Sequence, residues 1–161
     1  MCRTSFKSSL PRPLWVLLAG LLLAVPLLGH ASGPLQPEEI TWGPAPPVLP
    51  AGVKLAVLAG DPAGTGPVTL RLKMPAGYRI PPHWHPTDER VTVISGTLAI
   101  GMGDKLDRKH AKVLKAGGYA VAPANMHHFA WTKTGAVVQV DLMGPFQITY
   151  VNPADDPSKK Q

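Results

Sequence analysis

Nineteen prolines and sixteen glycines are spread along this 161-residue chain, and that density forbids a helical bundle. A proline inside a helix costs on the order of 3 kcal/mol and a glycine about 1 kcal/mol. What remains open is an all-β domain with many turns. Hydrophobic residues make up 45% of the chain, enough for one core and therefore for one domain. The formal charge is +6, yet no run of basic residues approaches a nucleic-acid patch, so a nucleic-acid partner is not expected. The single cysteine, Cys2, excludes an internal disulfide and any multi-cysteine zinc module.

Residues 1–31 read as a secretory signal peptide. Arg3, Lys7 and Arg12 precede an apolar stretch from Leu14 to Leu28, and Gly29, His30 and Ala31 follow as the small-residue cleavage region. A transmembrane anchor would need roughly 20 apolar residues, and this stretch is shorter and broken by Pro26. The expected product is therefore periplasmic or secreted, with no stable membrane anchor after cleavage. Removing the segment takes Cys2 away and leaves 13 basic and 10 acidic residues.

Residues 32–52 carry six prolines between Pro34 and Pro50 together with Trp42. They read as an extended strap pinned by its tryptophan, and as a candidate to cross between subunits of a homodimer. Residues 152–161 have the composition of a polar, frayed tail. Between them, residues 53–151 hold about ten short segments of strand composition separated by turn residues. Val68, Leu70, Leu72 and Met74 alternate with Thr69, Arg71 and Lys73, the period of a strand with one dry face. The charged stretch from Gly101 to Lys115 reads as a long solvated hairpin in preference to an anion-binding patch.

Chemistry concentrates in the histidines. His83 and His85 are two apart, so on a strand both rings leave from one face. Glu89 shares its parity with Val91 and Val93, so if those valines face the core it points inward with them, where a lone carboxylate is costly unless a cation satisfies it. Far along the chain, Pro123-Ala124-Asn125-Met126-His127-His128 places two more histidines at the start of an apolar strand. His127 should face away from His128, at the rim or in a structural role. His110 lies among lysines and reads as solvated. Trp84, between the first two histidines, should point away from them.

These residues resemble the cupin family. Gly77, five residues, His83-Trp84-His85, three residues, Glu89, six residues and Gly96 reproduce its first motif. Gly117, five residues, Pro123 and then His128 resemble its second, with Asn125 where glycine is usual and Thr132 where asparagine is frequent. Asn tolerates a left-handed backbone better than other residues with a side chain, so the turn should survive. More narrowly, the chain resembles the small exported single-domain cupins of bacteria. The resemblance implies an all-β double-stranded β-helix, or jelly-roll barrel. It also implies one divalent transition metal held by His83, His85, Glu89 and His128. Four protein donors leave two positions on an octahedral ion, which suits Fe, Mn, Ni or Co, whereas Zn could close a tetrahedron and Cu is favoured by affinity outside the cytoplasm.

By parity with these ligands, Val91, Val93, Ala130 and Thr132 are candidates to line a pocket, and Tyr78 and Arg79 precede the first ligand closely enough to reach its mouth. Gln139 and Asp141 share one face of an apolar strand, either toward the pocket or toward solvent. Asp141 or His127 is also a candidate fifth ligand. Two functions are expected from such a site. One is metal-dependent chemistry of oxygenase or isomerase type on a small organic molecule. The other is a non-catalytic small-molecule binding or sensing module with a structural metal.

Overall fold

The computed structural model describes residues 33–160; the expected signal peptide lies outside the described residues. Among the described residues ten strands run in order: β1 Gly43–Pro44, β2 Lys54–Ala59, β3 Pro67–Met74, β4 Arg79–Trp84, β5 Glu89–Met102, β6 Lys112–Lys115, β7 Tyr119–Ala122, β8 His128–Trp131, β9 Ala136–Met143 and β10 Thr149–Tyr150. All pairings are antiparallel. The strand path β1-β2-β3-β9-β5-β8-β4-β10, with β6 and β7 also pairing β5, curls into a jelly-roll barrel.

The hinge of this barrel is β5. Its first half, from Glu89 to Gly96, pairs with β9, and within it Glu89 to Thr92 also pair with β7; its second half, from Thr97 to Met102, lies against β6 and β8. The register with β9 slips between Val93 and Ser95, and the extra residue bends the strand from one sheet into the other. Gly96 completes the bend with φ +74°, and a side chain there would meet the Gly135 carbonyl oxygen at 2.2 Å. Only glycine fits both conditions.

The alternation of β3 is as the sequence expects. Val68, Leu70, Leu72 and Met74 are buried, and they meet Val138, Val140 and Leu142 of β9 and Val91 and Val93 of β5 in one core. The strap does lie on its own barrel: β1 pairs β2, Leu49 is buried in the core, and the Lys73 ammonium sits 4.4 Å over the Trp42 ring. Two tyrosines hold it as well, Tyr78 donating to the Pro50 carbonyl at 2.7 Å and Tyr150 to the Val48 carbonyl at 2.8 Å. The strap is not extended throughout, because Pro37–Glu39 form a 3₁₀ turn. Nor are residues 152–160 frayed. Pro153–Asp155 and Pro157–Lys159 form two 3₁₀ turns capped by the side chains of Asn152 and Asp156, polar caps that composition alone does not separate from disorder.

Candidate metal centre

The two prolines of β4 shape the site first. Pro81 and Pro82 cannot donate to a ladder, and the pairing of β4 with β8 slips between Ile80↔Ala130 and His83↔His128. The carbonyl of Pro81 is then free to accept from His83 Nδ1 at 2.7 Å. His85, just past the strand end, donates from Nδ1 to the Gln147 carbonyl at 2.6 Å, and His128 donates from Nδ1 to the Met126 carbonyl at 3.0 Å. A carbonyl only accepts, so all three rings carry a proton on Nδ1, which leaves Nε2 as the atom each ring can offer a metal.

The second motif is locked to the first by its turn. Asn125 takes φ +63°, the left-handed position expected for it, within a turn closed by Met126 N–H to the Pro123 carbonyl. Its own N–H donates to the His85 carbonyl at 2.8 Å, and Asp88 Oδ1 accepts from Ala124 N–H at 2.9 Å. Thus the segment that launches His128 is bonded to the segment that carries His85 and leads to Glu89.

One ligand atom from each of His83, His85 and His128 lies within 4.8 Å of the others. Glu89, the first residue of β5, reaches across from the other half of the barrel, with Oε1 3.6 Å from His85 Nε2 and Oε2 3.2 Å from His128 Nε2. All four residues are buried, none more than 8% exposed. His85 Nε2 and His128 Nε2 are sealed from water without a hydrogen-bond partner, so the approach of Glu89 to His128 is electrostatic contact without hydrogen-bond direction. With both rings neutral, the imidazole lone pairs facing a carboxylate in a dry site repel it. A divalent cation between them removes that repulsion, and three imidazole nitrogens with one carboxylate are a donor set for a first-row transition metal. The residues therefore fit a metal.

The same crowding sets the protonation pattern. Burial, with His128 and His85 beside it, lowers the His83 imidazole to about 3. Burial alone would raise the Glu89 carboxyl, but the imidazoles of His128, His85 and His83 hold it down at about 2. Burial opposes a proton on His128, and the adjacent Glu89 carboxylate more than offsets this, so its value is raised. These opposite tendencies within a few ångströms come from one unbalanced carboxylate among three imidazoles.

Below the donors, a cavity offers a water-sized body about 20 Å³ of room, enough for one water. Val91 and Ala130 line it, as their parity implies, with Leu72, Ile80, Leu98 and Val140 among the rest of an otherwise wholly apolar wall. Val93 is buried in the core but is not part of that wall. The other pocket expectations need correction. Tyr78 is spent on the strap carbonyl of Pro50. Arg79 is exposed and pairs with Trp131 on the outer face of the ladder. Thr132 is buried, but its hydroxyl accepts from the Gly135 N–H at 3.0 Å and stabilises a turn. Gln139 and Asp141 lie on the outer face of β9, where Asp141 accepts from the Thr69 hydroxyl at 2.6 Å and Gln139 contacts Arg71. Asp141 is therefore no fifth ligand. His127 is none either, because its Nδ1 bonds Asp104 at 2.6 Å at the surface.

Three residues that the sequence reading did not single out complete the surroundings. Phe146 stacks on His85 with centroids 6.2 Å apart, and the Tyr150 ring lies 6.0 Å from His83. Gln147 contributes only its carbonyl, and since any residue has one, no sequence signal could mark it.

The barrel and its convergent histidines define a cupin. The chain belongs to the ChrR cupin-like domain family, which residues 32–144 match. It is 34% identical over 80 residues to germin-like protein 3-1 of Oryza sativa subsp. japonica, a match that covers 49% of this chain and 36% of the rice protein. The chain thus spans about a third of that curated relative's length. Among solved structures it resembles a putative acetylacetone dioxygenase from Methylibium petroleiphilum PM1, at TM-score 0.60 and 21% identity, over 79% of this chain and 85% of that one. It also resembles an RmlC-like cupin from Shewanella frigidimarina NCIMB 400, at TM-score 0.55 and 18% identity, over 70% and 90%. The DMSP lyase DddQ of Ruegeria pomeroyi DSS-3 matches at TM-score 0.55 and 20% identity, over 69% and 60%. At these identities the structures share the fold.

Proposed function

We propose that this chain is an exported cupin that holds one divalent transition metal through Nε2 of His83, His85 and His128 and the carboxylate of Glu89, and presents it to a small organic molecule. The observation that carries this reading is the pair of orphaned, buried nitrogens, His85 Nε2 and His128 Nε2, turned toward Glu89 by rings whose other nitrogens are already spent. A bound metal would supply Lewis acidity and, for Fe, Mn, Co, Ni or Cu, redox capacity. The chain's own residues orient the donors through three backbone carbonyls and exclude bulk water with an apolar wall. Similar structures named as a putative acetylacetone dioxygenase and a DMSP lyase support chemistry on small organic molecules.

A specific observation also favours the second reading, a binding or sensing module. Apart from the donors themselves, the cavity wall has no group able to take or give a proton. Chemistry that needs a separate general base has no candidate there. One experiment separates the readings. Protein recovered from the cell envelope and its medium is analysed for metal, then each of Mn, Fe, Co, Ni, Cu and Zn is restored singly and oxygen uptake is followed with phenolics, diketones, oxalate and thiols. One metal per chain is expected. Substrate-dependent turnover establishes the enzyme, ligand-shifted metal spectra without turnover establish the binding module, and absence of metal at any ratio overturns both. Recovery of the chain only from the cytoplasm, with residues 1–31 still attached, would overturn export.

A further inference from the structure

We propose that the outer face of the β4–β8 ladder carries a second binding site, for a small organic anion made of a carboxylate or phosphate joined to an apolar ring. The pleat that turns Ile80 and Ala130 inward turns their neighbours Arg79 and Trp131 outward, directly opposite one another across the ladder. The loop between β5 and β6 then folds across this face and brings Arg108 to 5.8 Å from the Trp131 ring centroid. Thr132 and Lys133, just past the end of β8, and Gly77, in the turn before β4, complete a groove of about 340 Å³. That lies within the size range of small-molecule sites, roughly 300–1,000 Å³.

The chemistry of the groove is one-sided. Three of its six lining residues are cationic, Arg79, Arg108 and Lys133, and none is acidic. Among the described residues no carboxylate forms an ion pair with any of the three. The acids of the covering loop are committed elsewhere, Asp104 to His127 and Asp107 to His110, each at 2.6 Å. Those pairings engage the loop's two carboxylates and leave Arg108 for the groove. The hairpin is solvated, as its composition implies, with Asp104, Lys105, Asp107, Arg108, Lys109 and His110 all exposed.

Trp131 gives the site its apolar surface and its rigidity. It stacks on Phe129 with centroids 6.0 Å apart and planes at 17°, and Phe129 is itself only 1% exposed. Cation–π attraction within about 6 Å holds the Arg108 guanidinium in place without consuming its N–H donors. Two arginines can each take an oxyanion bidentately and Lys133 adds a point charge. An inorganic anion would use the cations alone, whereas a ring attached to it would also cover exposed edge of Trp131.

The test is an NMR titration of the full chain with benzoate, phenyl phosphate, inorganic phosphate and neutral benzyl alcohol. It is repeated on the metal-free His128→Ala variant, so that a failure of the metal reading does not affect the outcome. Saturable shifts are expected at Gly77, Thr132, Lys133 and the Trp131 indole, unchanged by His128→Ala, with phenyl phosphate or benzoate bound at least tenfold more tightly than benzyl alcohol. The tighter of the two identifies the preferred oxyanion. Arg79→Gln with Arg108→Gln should weaken binding at least tenfold, and Trp131→Leu should abolish the preference for phenyl phosphate over inorganic phosphate. Should the double variant fail to fold, the salt dependence of the unmodified chain replaces it, with affinity expected to fall as ionic strength rises. Shifts confined to the metal donors, equal binding of benzyl alcohol, or affinity indifferent to both salt and arginine replacement would overturn the site.

Discussion

The two faces of the β4–β8 ladder differ in nearly every physical respect although they are built from adjacent residues. Inside, His83 and His128 face one another above Ile80 and Ala130, about 20 Å³ of space remains, and His85 Nε2 and His128 Nε2 are sealed from water. Outside, Arg79 faces Trp131 beside about 340 Å³ of open groove lined by three unpaired cations. The inner face concentrates polar groups where each unsatisfied atom costs on the order of 1–3 kcal/mol, so it calls for one cation at one point. The outer face keeps its charges in solvent, where crowding costs little and specificity must come from shape and number. Pleating is what lets one pair of strands do both.

The largest effect that would sharpen this contrast is at the inner face. His83→Ala or His128→Ala should abolish stoichiometric metal binding, read by elemental analysis after dialysis, while the outer groove keeps its affinity for phenyl phosphate. Loss of both together would show that the faces are not independent.

Next comes the residue that supports the outer face. Phe129→Ala removes a fully buried ring beneath Trp131 and should destabilise the fold by about 3–5 kcal/mol in denaturant titration. Groove binding should weaken and metal stoichiometry should persist below the unfolding midpoint. Gly101 tests the same support from the other side, since a side chain there would meet the Phe129 ring at 2.4 Å.

The faces should also separate by pH. In the metal-free protein His83 stays neutral down to about 3, while the unfolded chain takes that proton near 6.5. The unfolded state therefore binds more protons in between, and this contribution to stability, complete above 6.5, is lost as pH falls toward 3. Glu89 adds a loss of the same sign between 4.5 and about 2. His128, raised by Glu89, acts oppositely, stabilising below 6.5 and ceasing to do so as pH rises through its raised value. Urea unfolding of the metal-free protein should show a net decline on acidification below 6.5, which His83→Gln should reduce.

Two smaller effects follow. Asn125→Ala forces a less tolerant residue into the left-handed turn and should cost about 1–2 kcal/mol, loosening metal affinity through His128, whereas Asn125→Gly should be nearly neutral. His127→Ala should leave metal stoichiometry unchanged, because its ring is bonded to Asp104 at the surface. If it empties the site, the choice between adjacent histidines is wrong.

How much of this was legible differed by interaction range. The His83/His85 spacing and the parity of Glu89 with Val91 are local properties, and the structure does bring these side chains to one place with His128. Asn125 was legible for the same reason, since a left-handed residue is a property of its own φ. Gln139 and Asp141 were not, because alternation says that two residues share a face without saying which face is inward. Tyr78 was misread for a different reason: its partner, the Pro50 carbonyl, lies 28 residues earlier, and sequence carries no sign of a backbone acceptor. The 3₁₀ turns of the C-terminal end depend on Asn152 and Asp156 finding nearby N–H groups, a choice that composition leaves open.

The sequence by itself determined that this chain is all-β, where it turns, and which donors are available, because prolines, glycines and period-two alternation act on the backbone within a few residues. Tertiary structure alone decided that two inward nitrogens, on His85 and His128, are orphaned, that almost no room is left beneath them, and that Arg79, Arg108 and Lys133 meet beside Trp131. Those facts depend on which strands become neighbours and on where a loop folds back, and both are settled by packing across the whole barrel.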